Sequence, residues 1–179
     1  MKTLAIIFFL AILISCNNKQ VIPRHTHVFS YVSNNKDTVK FYGYKNVDTA
    51  IYYAKQERKK ILLIFSGYAC MAIPGREWET LSLYDNKTNI ENNFVIAWLA
   101  VDETAIASDT NQVVFWYGKQ TKLKTAGYQN KYLQEQLFKT STQPLFCFID
   151  TTKRAFGETI GYTRSKDAVN AFINSGLKK

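Results

Sequence analysis

Three uninterrupted runs of apolar residues form the framework of the predicted fold. They occupy residues 61–65, 94–101 and 145–149, and Asp150 directly follows the third run. Runs of this length without polar alternation are typical of strands that are covered on both faces of a sheet. A predicted helix over 75–84 connects the first two runs, and this order favours a parallel pair of strands joined by a right-handed crossover.

Shorter periodic segments predict the remaining elements. They are a hairpin of strands 28–32 and 39–44, helices over 48–59 and 130–139, an antiparallel strand over 156–160, and a helix that Ser165 caps and Gly176 ends. Either Asn46 or Asp48 caps the first of these helices. Residues 103–125 remain unassigned, and their apolar stretch 113–117 is either a short strand or a packed loop. A long unassigned segment indicates a function or a missed element.

The N-terminus has the pattern of an export signal. Lys2 precedes an apolar run over 4–14, which is too short for a permanent membrane span. Ser15 directly before Cys16, with aliphatic residues upstream, resembles the lipobox of bacterial lipoproteins. We therefore expect residues 1–15 to be removed and Cys16 to carry lipid that anchors the protein to a bacterial membrane, facing the periplasm. The alternative is an ordinary signal peptide with a chance cysteine.

The predicted domain organisation is simple. Residues 16–27 are polar and short of aromatic side chains, which is typical of a flexible tether, and residues 28–179 are long enough for one domain with a substantial core. His25 and His27 lie in the tether without companion ligands. Cys70 and Met71 add no recognisable ligand spacing, so we predict neither a metal site nor another cofactor.

The net charge of +9 arises from basic residues that are scattered along the chain. The densest cluster, 58–60, ends a predicted helix, where cations interact favourably with the helix dipole. This pattern predicts a basic solvated surface. In an anchored protein such a surface attracts anionic lipid headgroups, whereas export argues against nucleic acid as a partner.

Three local motifs give the chain a family resemblance. Residues 61–79 read ILLIFSGYACMAIPGREWE, residues 93–102 read NFVIAWLAVD, and Thr142-Gln143-Pro144 directly precedes the third apolar run. Over residues 48–177 the chain resembles thioredoxin-like domains, particularly the C-terminal domain of DsbD-type membrane thiol-disulfide interchange proteins of Bacteroidetes. The resemblance implies a three-layer α/β fold with a central mixed sheet, helices on both faces and an additional N-terminal hairpin.

The same resemblance implies roles for individual residues. Cys70 takes the position of the attacking thiol, and Tyr68 that of an aromatic residue lining the peptide groove. The Gln143–Pro144 bond is expected to be cis, in a loop whose backbone pairs with an extended peptide. The implied partners are thiols and disulfides of exported proteins or peptides.

The chain departs from that family at the second motif cysteine. Counting forward from Cys70 puts Ile73 at that position, and counting back from Arg76 puts Gly75 there. Dithiol exchange needs a second thiol to resolve the mixed disulfide, so ordinary reduction should stall. Pro74 is suited to the first helical position, which would leave Cys70 in the loop before the helix and weaken its activation.

Several charged side chains are candidates for supporting the thiol. Arg76 is expected to act electrostatically if it faces Cys70. Glu79, Asp102 and Glu103 are candidates for proton transfer, and Asp102, at the end of a predicted strand, is favoured as a turn former.

The remaining cysteine and three aromatic residues are expected to lie either in the core or near Cys70. Cys147 lies in an aromatic-rich strand and is expected to be a small buried hydrophobe, with a resolving thiol as the alternative. Trp78 is expected in the core. Trp116 and Tyr117 are expected near the surface around Cys70.

Two functions of different classes follow. One is a monothiol thioredoxin-like protein that handles thiols or mixed disulfides, with a separate protein or small thiol resolving Cys70. The other is a noncatalytic module that keeps the proline loop to hold peptides or partner domains. The alternative that Cys70 is a small apolar residue without chemistry fits the second function.

Overall fold

The N-terminal hairpin begins the part of the chain that the computed structural model describes, which comprises residues 27–32, 38–70, 76–84 and 87–178. Strands β1 (His27–Val32) and β2 (Thr38–Tyr44) pair antiparallel, as predicted. The predicted export signal and the lipidation site at Cys16 lie outside the described residues. The predicted tether overlaps β1 by one residue.

Twelve further elements follow in an alternating order. The first are α1 (Val47–Glu57), β3 (Lys60–Ser66), a 3₁₀ turn (Tyr68–Cys70), α2 (Arg76–Ser82), α3 (Lys87–Asn93) and β4 (Phe94–Ala100). The second group contains β5 (Val113–Trp116), β6 (Lys119–Lys122), α4 (Ala126–Phe138), β7 (Leu145–Ile149), β8 (Ala155–Ile160) and α5 (Lys166–Leu177). The main sheet has the order β1-β2-β4-β3-β7-β8. Strands β2, β4 and β3 are parallel, β7 pairs antiparallel with β3, and β8 pairs antiparallel with β7 at the edge of the sheet.

The central strand β3 shows how the three layers are packed. Its alternate side chains Leu62 and Ile64 join a core with α2, α3 and α5. Leu63 and Phe65 point to the other face and pack with α1 and α4. Burying each such side chain contributes about 1.5–3 kcal/mol. The predicted sheet with helices on both faces is therefore confirmed.

Helix α1 ends before the basic cluster that was predicted to favour its dipole. Asn46 is the N-cap and accepts a hydrogen bond from the backbone N–H of Thr49 at 3.0 Å. Arg58 takes a left-handed conformation and ends the helix. Lys60 lies on β3, and its ammonium donates to the carbonyls of Gly176 and Lys178 at 2.7 and 2.8 Å. This cation therefore stabilises the C-terminal end of α5 instead.

Gly176 has a different role from the predicted one. It lies inside α5, one residue before the helix ends. A Cβ atom at this position would lie 2.5 Å from Cζ of Phe148. Glycine is needed here because the helix backbone packs directly on that ring, and not because the chain turns.

Helix α3 and strand β6 were not predicted, whereas β5 confirms the short strand that was one of two alternatives for residues 113–117. Helix α3 buries only Ile90, so it has no apolar periodicity to reveal it. The unassigned segment forms the hairpin of β5 and β6, whose tight turn places Tyr117 and Gly118 at φ values of 50° and 75°. Helix α4 begins four residues earlier than predicted, because Thr125 caps it.

The turn between β7 and β8 depends on the carboxylate of Asp150. This carboxylate accepts hydrogen bonds from the hydroxyl and backbone N–H of Thr152 and from the backbone N–H of Arg154. The hydroxyl contact, followed by the backbone contacts and the charge of Arg154, lowers the pKa of Asp150 from 3.8 to about 2.

The lowered pKa of Asp150 predicts that the stability of the folded protein falls at acidic pH. Because its pKa is lower in the folded state, the stabilisation from Asp150 is complete above about pH 4 and is lost as the pH falls toward 2. We expect Asp150→Asn to flatten the decline of the melting temperature over that interval. Asp109→Asn, in an exposed loop, is the control. An unchanged acid profile in Asp150→Asn would argue against this turn as the source.

Candidate functional site

The sheet brings three candidate segments to one edge. In the parallel pair, Ser66 at the end of β3 lies opposite Ala100 at the end of β4. In the antiparallel pair, Phe65 lies opposite Leu145, the first residue of β7. The turn that ends at Cys70, the segment after β4 and the loop of Pro144 therefore share one end of the central strands.

Asp102 fixes the turn that carries Cys70. Its carboxylate oxygens accept hydrogen bonds from the backbone N–H groups of Tyr68 at 2.8 Å and Ala69 at 2.7 Å. A Cβ atom on Gly67 would lie only 3.1 Å from the same carboxylate, so the small residue leaves it room. Asp102 is thus a turn former. The turn that it stabilises follows β3, whereas Asp102 itself follows β4.

Tyr68 is held in an exposed hydrogen-bond network. Its hydroxyl donates to Glu103 at 2.8 Å and accepts from the ammonium of Lys45 at 3.0 Å. Its ring stands edge-on to Trp98, with 5.3 Å between the centroids. The hydrogen bond from Tyr68 is the main cause of a lowered pKa for Glu103, which favours the charged acceptor over a proton donor.

Cys70 is the last residue of the 3₁₀ turn, and helix α2 is described from Arg76 onward. The predicted helix start at Pro74 lies outside the described residues. Residues 71–75 and the side chain of Arg76 lie outside the described part, and the role of Arg76 stays a prediction.

The two glutamates of α2 contact different parts of the protein. Glu79 accepts hydrogen bonds from the hydroxyl of Tyr162 and the guanidinium of Arg164, at 3.0 and 3.1 Å, and so links α2 to the segment before α5. Glu77 accepts from Ser66 and Trp98, both at 3.2 Å. The glutamate that contacts the strand ends is therefore Glu77, which the sequence did not single out.

The loop before β7 presents backbone groups that no other described residue binds. The Gln143–Pro144 bond is cis, as expected. The fully buried side chain of Gln134 donates to the carbonyl of Thr142 at 2.7 Å and attaches the loop to α4. Among the described residues, no hydrogen-bond partner exists for the backbone N–H or C=O of Gln143. This residue therefore offers both a donor and an acceptor to another chain.

The order β2-β4-β3-β7-β8, with β7 antiparallel to both of its neighbours, helices on both faces and a cis-proline beside the end of β3, decides the fold. The chain has a thioredoxin-like fold. No protein-family model matches the sequence, and no curated protein has a significant match to it.

Two solved structures are similar to this thioredoxin-like chain. One is described as DsbH oxidoreductase, with 16% identity, a TM-score of 0.47, and coverage of 75% of this chain and 83% of that one. The other is the exposed lipoprotein thioredoxin Etrx1 from Streptococcus pneumoniae strain TIGR4, with 13% identity, a TM-score of 0.39, and coverage of 83% and 98%. The narrower likeness to DsbD-type domains stays a prediction from the motifs.

Three further aromatic residues from the sequence analysis contact α4 or the core. Trp116 and Tyr117 both donate to the carboxylate of Glu135, at 2.7 and 2.5 Å, so they attach the β5–β6 hairpin to α4 in a cluster separate from that of Tyr68. Trp78 is buried against Phe41, as predicted for a core residue.

Cys147 is a core residue of the thioredoxin-like sheet. It is fully buried in β7 opposite Leu63, and burial raises the pKa of its thiol well above the usual value. Both properties disfavour the thiolate that thiol exchange requires. Its surroundings match the prediction of a small buried hydrophobe.

A cavity of about 570 Å³ opens beside the Tyr68 network. Lys45, Trp98 and Glu103 belong to both, and α1, α4 and the segment after β4 form the other walls. Asn130 on its α4 wall is 7% exposed and donates to the carbonyl of Ala100. The volume is in the range that binds small molecules or individual side chains.

Neither a metal cluster nor a membrane span is found in the described part of the chain. No group of three or more His, Cys, Asp or Glu side chains is suitably placed for a metal ion there. None of the helices described there has the length and apolar character needed to cross a membrane.

Proposed function

We propose that this chain is an exported, lipid-anchored thioredoxin-fold protein that binds extended polypeptide segments beside Cys70 without a dithiol redox cycle. The observation that carries the proposal is the backbone N–H and C=O of Gln143, which have no partner among the described residues at the edge where the turn of Cys70 ends. An extended peptide binds such groups through its own backbone, as an added strand does. Recognition of this kind requires neither a cofactor nor a metal.

The cysteines disfavour dithiol chemistry. The motif contains one cysteine, and the other cysteine of the domain, Cys147, is buried inside the sheet. Asp102 accepts the backbone N–H groups of Tyr68 and Ala69, so these two donors are not available to a thiolate at residue 70. The arrangement therefore favours holding a polypeptide over exchanging its disulfides.

The turn that ends at Cys70 presents an aromatic surface that suits a polypeptide. Tyr68 is 40% exposed, and its network with Lys45 and Glu103 holds its ring in one orientation. A rigid aromatic side chain supplies contact area at a small entropy cost. The neighbouring cavity has room for a side chain of the bound segment.

Tyr68→Ala tests this surface. We expect the change to weaken binding of an unfolded, reduced and alkylated polypeptide by the full chain about tenfold, which corresponds to about 1.4 kcal/mol. Binding is measured by fluorescence anisotropy of the labelled polypeptide. Tyr52→Ala is the matched control, because Tyr52 is 41% exposed but lies on α1. Gln143→Ala should bind normally, since the recognition uses its backbone. Equal losses in Tyr68→Ala and Tyr52→Ala would contradict the proposed surface.

A second function is covalent capture through Cys70. It is favoured by the position of this residue at the end of a turn whose preceding residues, Tyr68 and Ala69, are exposed. In this reaction the Cys70 thiolate attacks a disulfide sulfur of the bound polypeptide, and the other sulfur leaves as a thiolate. The thiol of a separate molecule then displaces Cys70. Alkylation of Cys70 no faster than in the urea-unfolded chain would exclude this function.

A further inference from the structure

We propose that a pocket between the β5–β6 hairpin and α4 binds an anionic phosphate group. The pocket has a volume of about 370 Å³ and contains four lysines and no carboxylate. Its walls are formed by Trp116, Tyr117, Lys119, Thr121, Lys122, Lys124, Tyr128 and Lys131. None of these residues lines the cavity beside Tyr68, so the pocket is independent of the proposed polypeptide site.

Among the described residues the four lysines have no acidic partner, although Glu135 follows Lys131 by one helical turn on α4. Residues 110–134 contain no Asp or Glu. Within the described residues, none of the four lysines forms an ion pair. The next acidic residue, Glu135, has one carboxylate oxygen bound by Trp116 and the other by Tyr117. It lines a different groove and is not among the walls of this pocket.

The positive charges around the pocket do not stabilise the β5–β6 hairpin. Its two strands have four residues each and form a separate sheet, which is marginal on its own. Four like charges around one pocket repel one another and destabilise the hairpin further. A bound anion would remove this repulsion.

The groups in the pocket match the chemistry of a phosphate. Lysine ammonium groups are strong hydrogen-bond donors to phosphate oxygens, and the hydroxyls of Thr121 and Tyr128 supply neutral donors. Lys131 lies 5.9 Å from the ring of Trp116, so the aromatic wall stabilises the cation without neutralising it. Both a soluble phosphate ester and the headgroup of an anionic phospholipid present this chemistry.

The test is a calorimetric titration of the full chain in neutral detergent with inorganic pyrophosphate at low ionic strength. Lys122→Gln/Lys131→Gln removes two charges from the pocket. Lys40→Gln/Lys55→Gln removes two charges from exposed positions on β2 and α1. We expect the dissociation constant to rise about tenfold or more in the first variant and less than about twofold in the second. Circular dichroism checks that both variants are folded.

A competition experiment distinguishes the two sources of phosphate. Mixed micelles of the same detergent with phosphatidylglycerol and phosphatidylcholine are added to the titration, with mixed micelles of phosphatidylcholine alone as the reference. Competition by the anionic micelles alone assigns the pocket to a lipid headgroup, whereas binding of pyrophosphate without such competition assigns it to a soluble phosphate. The proposal is overturned if pyrophosphate does not bind, or if both double variants lose affinity equally.

Discussion

Replacing Gly127 with alanine is expected to lower the free energy of unfolding by about 3 kcal/mol, the upper end of the usual cost of overpacking. A Cβ atom at this position would lie 2.6 Å from the backbone nitrogen of Glu103 and 2.8 Å from the carbonyl oxygen of Val101. These are backbone atoms of the segment that carries Asp102, so they cannot move aside as a flexible side chain would. Urea unfolding at neutral pH measures the loss.

Whether Gly127→Ala lowers or raises the free energy of unfolding shows whether packing or helix propensity dominates at this position. Gly127 lies in α4, where alanine is favoured over glycine by up to about 1 kcal/mol. Gly161→Ala is the control, because its nearest contact would be the carbonyl oxygen of Pro144 at an ordinary 3.6 Å, and we expect a change within about 0.5 kcal/mol. If Gly127→Ala is as stable as the original chain, α4 does not pack on residues 101–103 as described.

Asp102→Ala is expected to loosen the turn of Cys70 and to lower the free energy of unfolding by about 2 kcal/mol. It removes the acceptor of the two backbone N–H groups of Tyr68 and Ala69. We therefore expect their amide hydrogens to exchange with solvent at least about tenfold faster, measured by nuclear magnetic resonance. Asp102→Asn keeps one acceptor oxygen and should give an intermediate rate.

A matched change elsewhere serves as the control for Asp102. Asp109 accepts a single backbone N–H, from Asn111, in an exposed loop. Asp109→Ala should leave the exchange of Tyr68 and Ala69 unchanged. Unaltered exchange in Asp102→Ala would mean that another group holds the turn.

The central sheet was predictable because its strands are buried on both faces. Every residue in 61–65 and 94–101 is apolar, and uninterrupted apolar runs of this length are typical of strands that are covered on both faces. Helix α3 was not predictable in this way, since a helix that buries only Ile90 lacks an apolar stripe. The β5–β6 hairpin was predicted only in part, because a strand and a packed loop were both left open for residues 113–117. Val113 and Phe115 are largely exposed, so apolar character does not indicate burial there.

The candidate site was only partly predictable from the sequence. Tyr68, Cys70 and the Gln143–Pro144 loop were identified by motif resemblance, and the strand register places them at one edge. Lys45 was missed because it follows β2 and reaches Tyr68 only through the parallel pairing of β2 with β4. Pairings between distant segments determine such contacts, and no local pattern encodes them.

The most direct test of the account compares the original chain with Cys70→Ser in binding a polypeptide that has no thiol or disulfide. The account predicts equal affinities, because the backbone of Gln143 and the ring of Tyr68 make the contacts. Cys147→Ser cannot serve as the control variant in this comparison, because it would place a hydroxyl in the core. A loss of binding in Cys70→Ser, with the fold intact by circular dichroism, would contradict the account and assign recognition to the thiol itself.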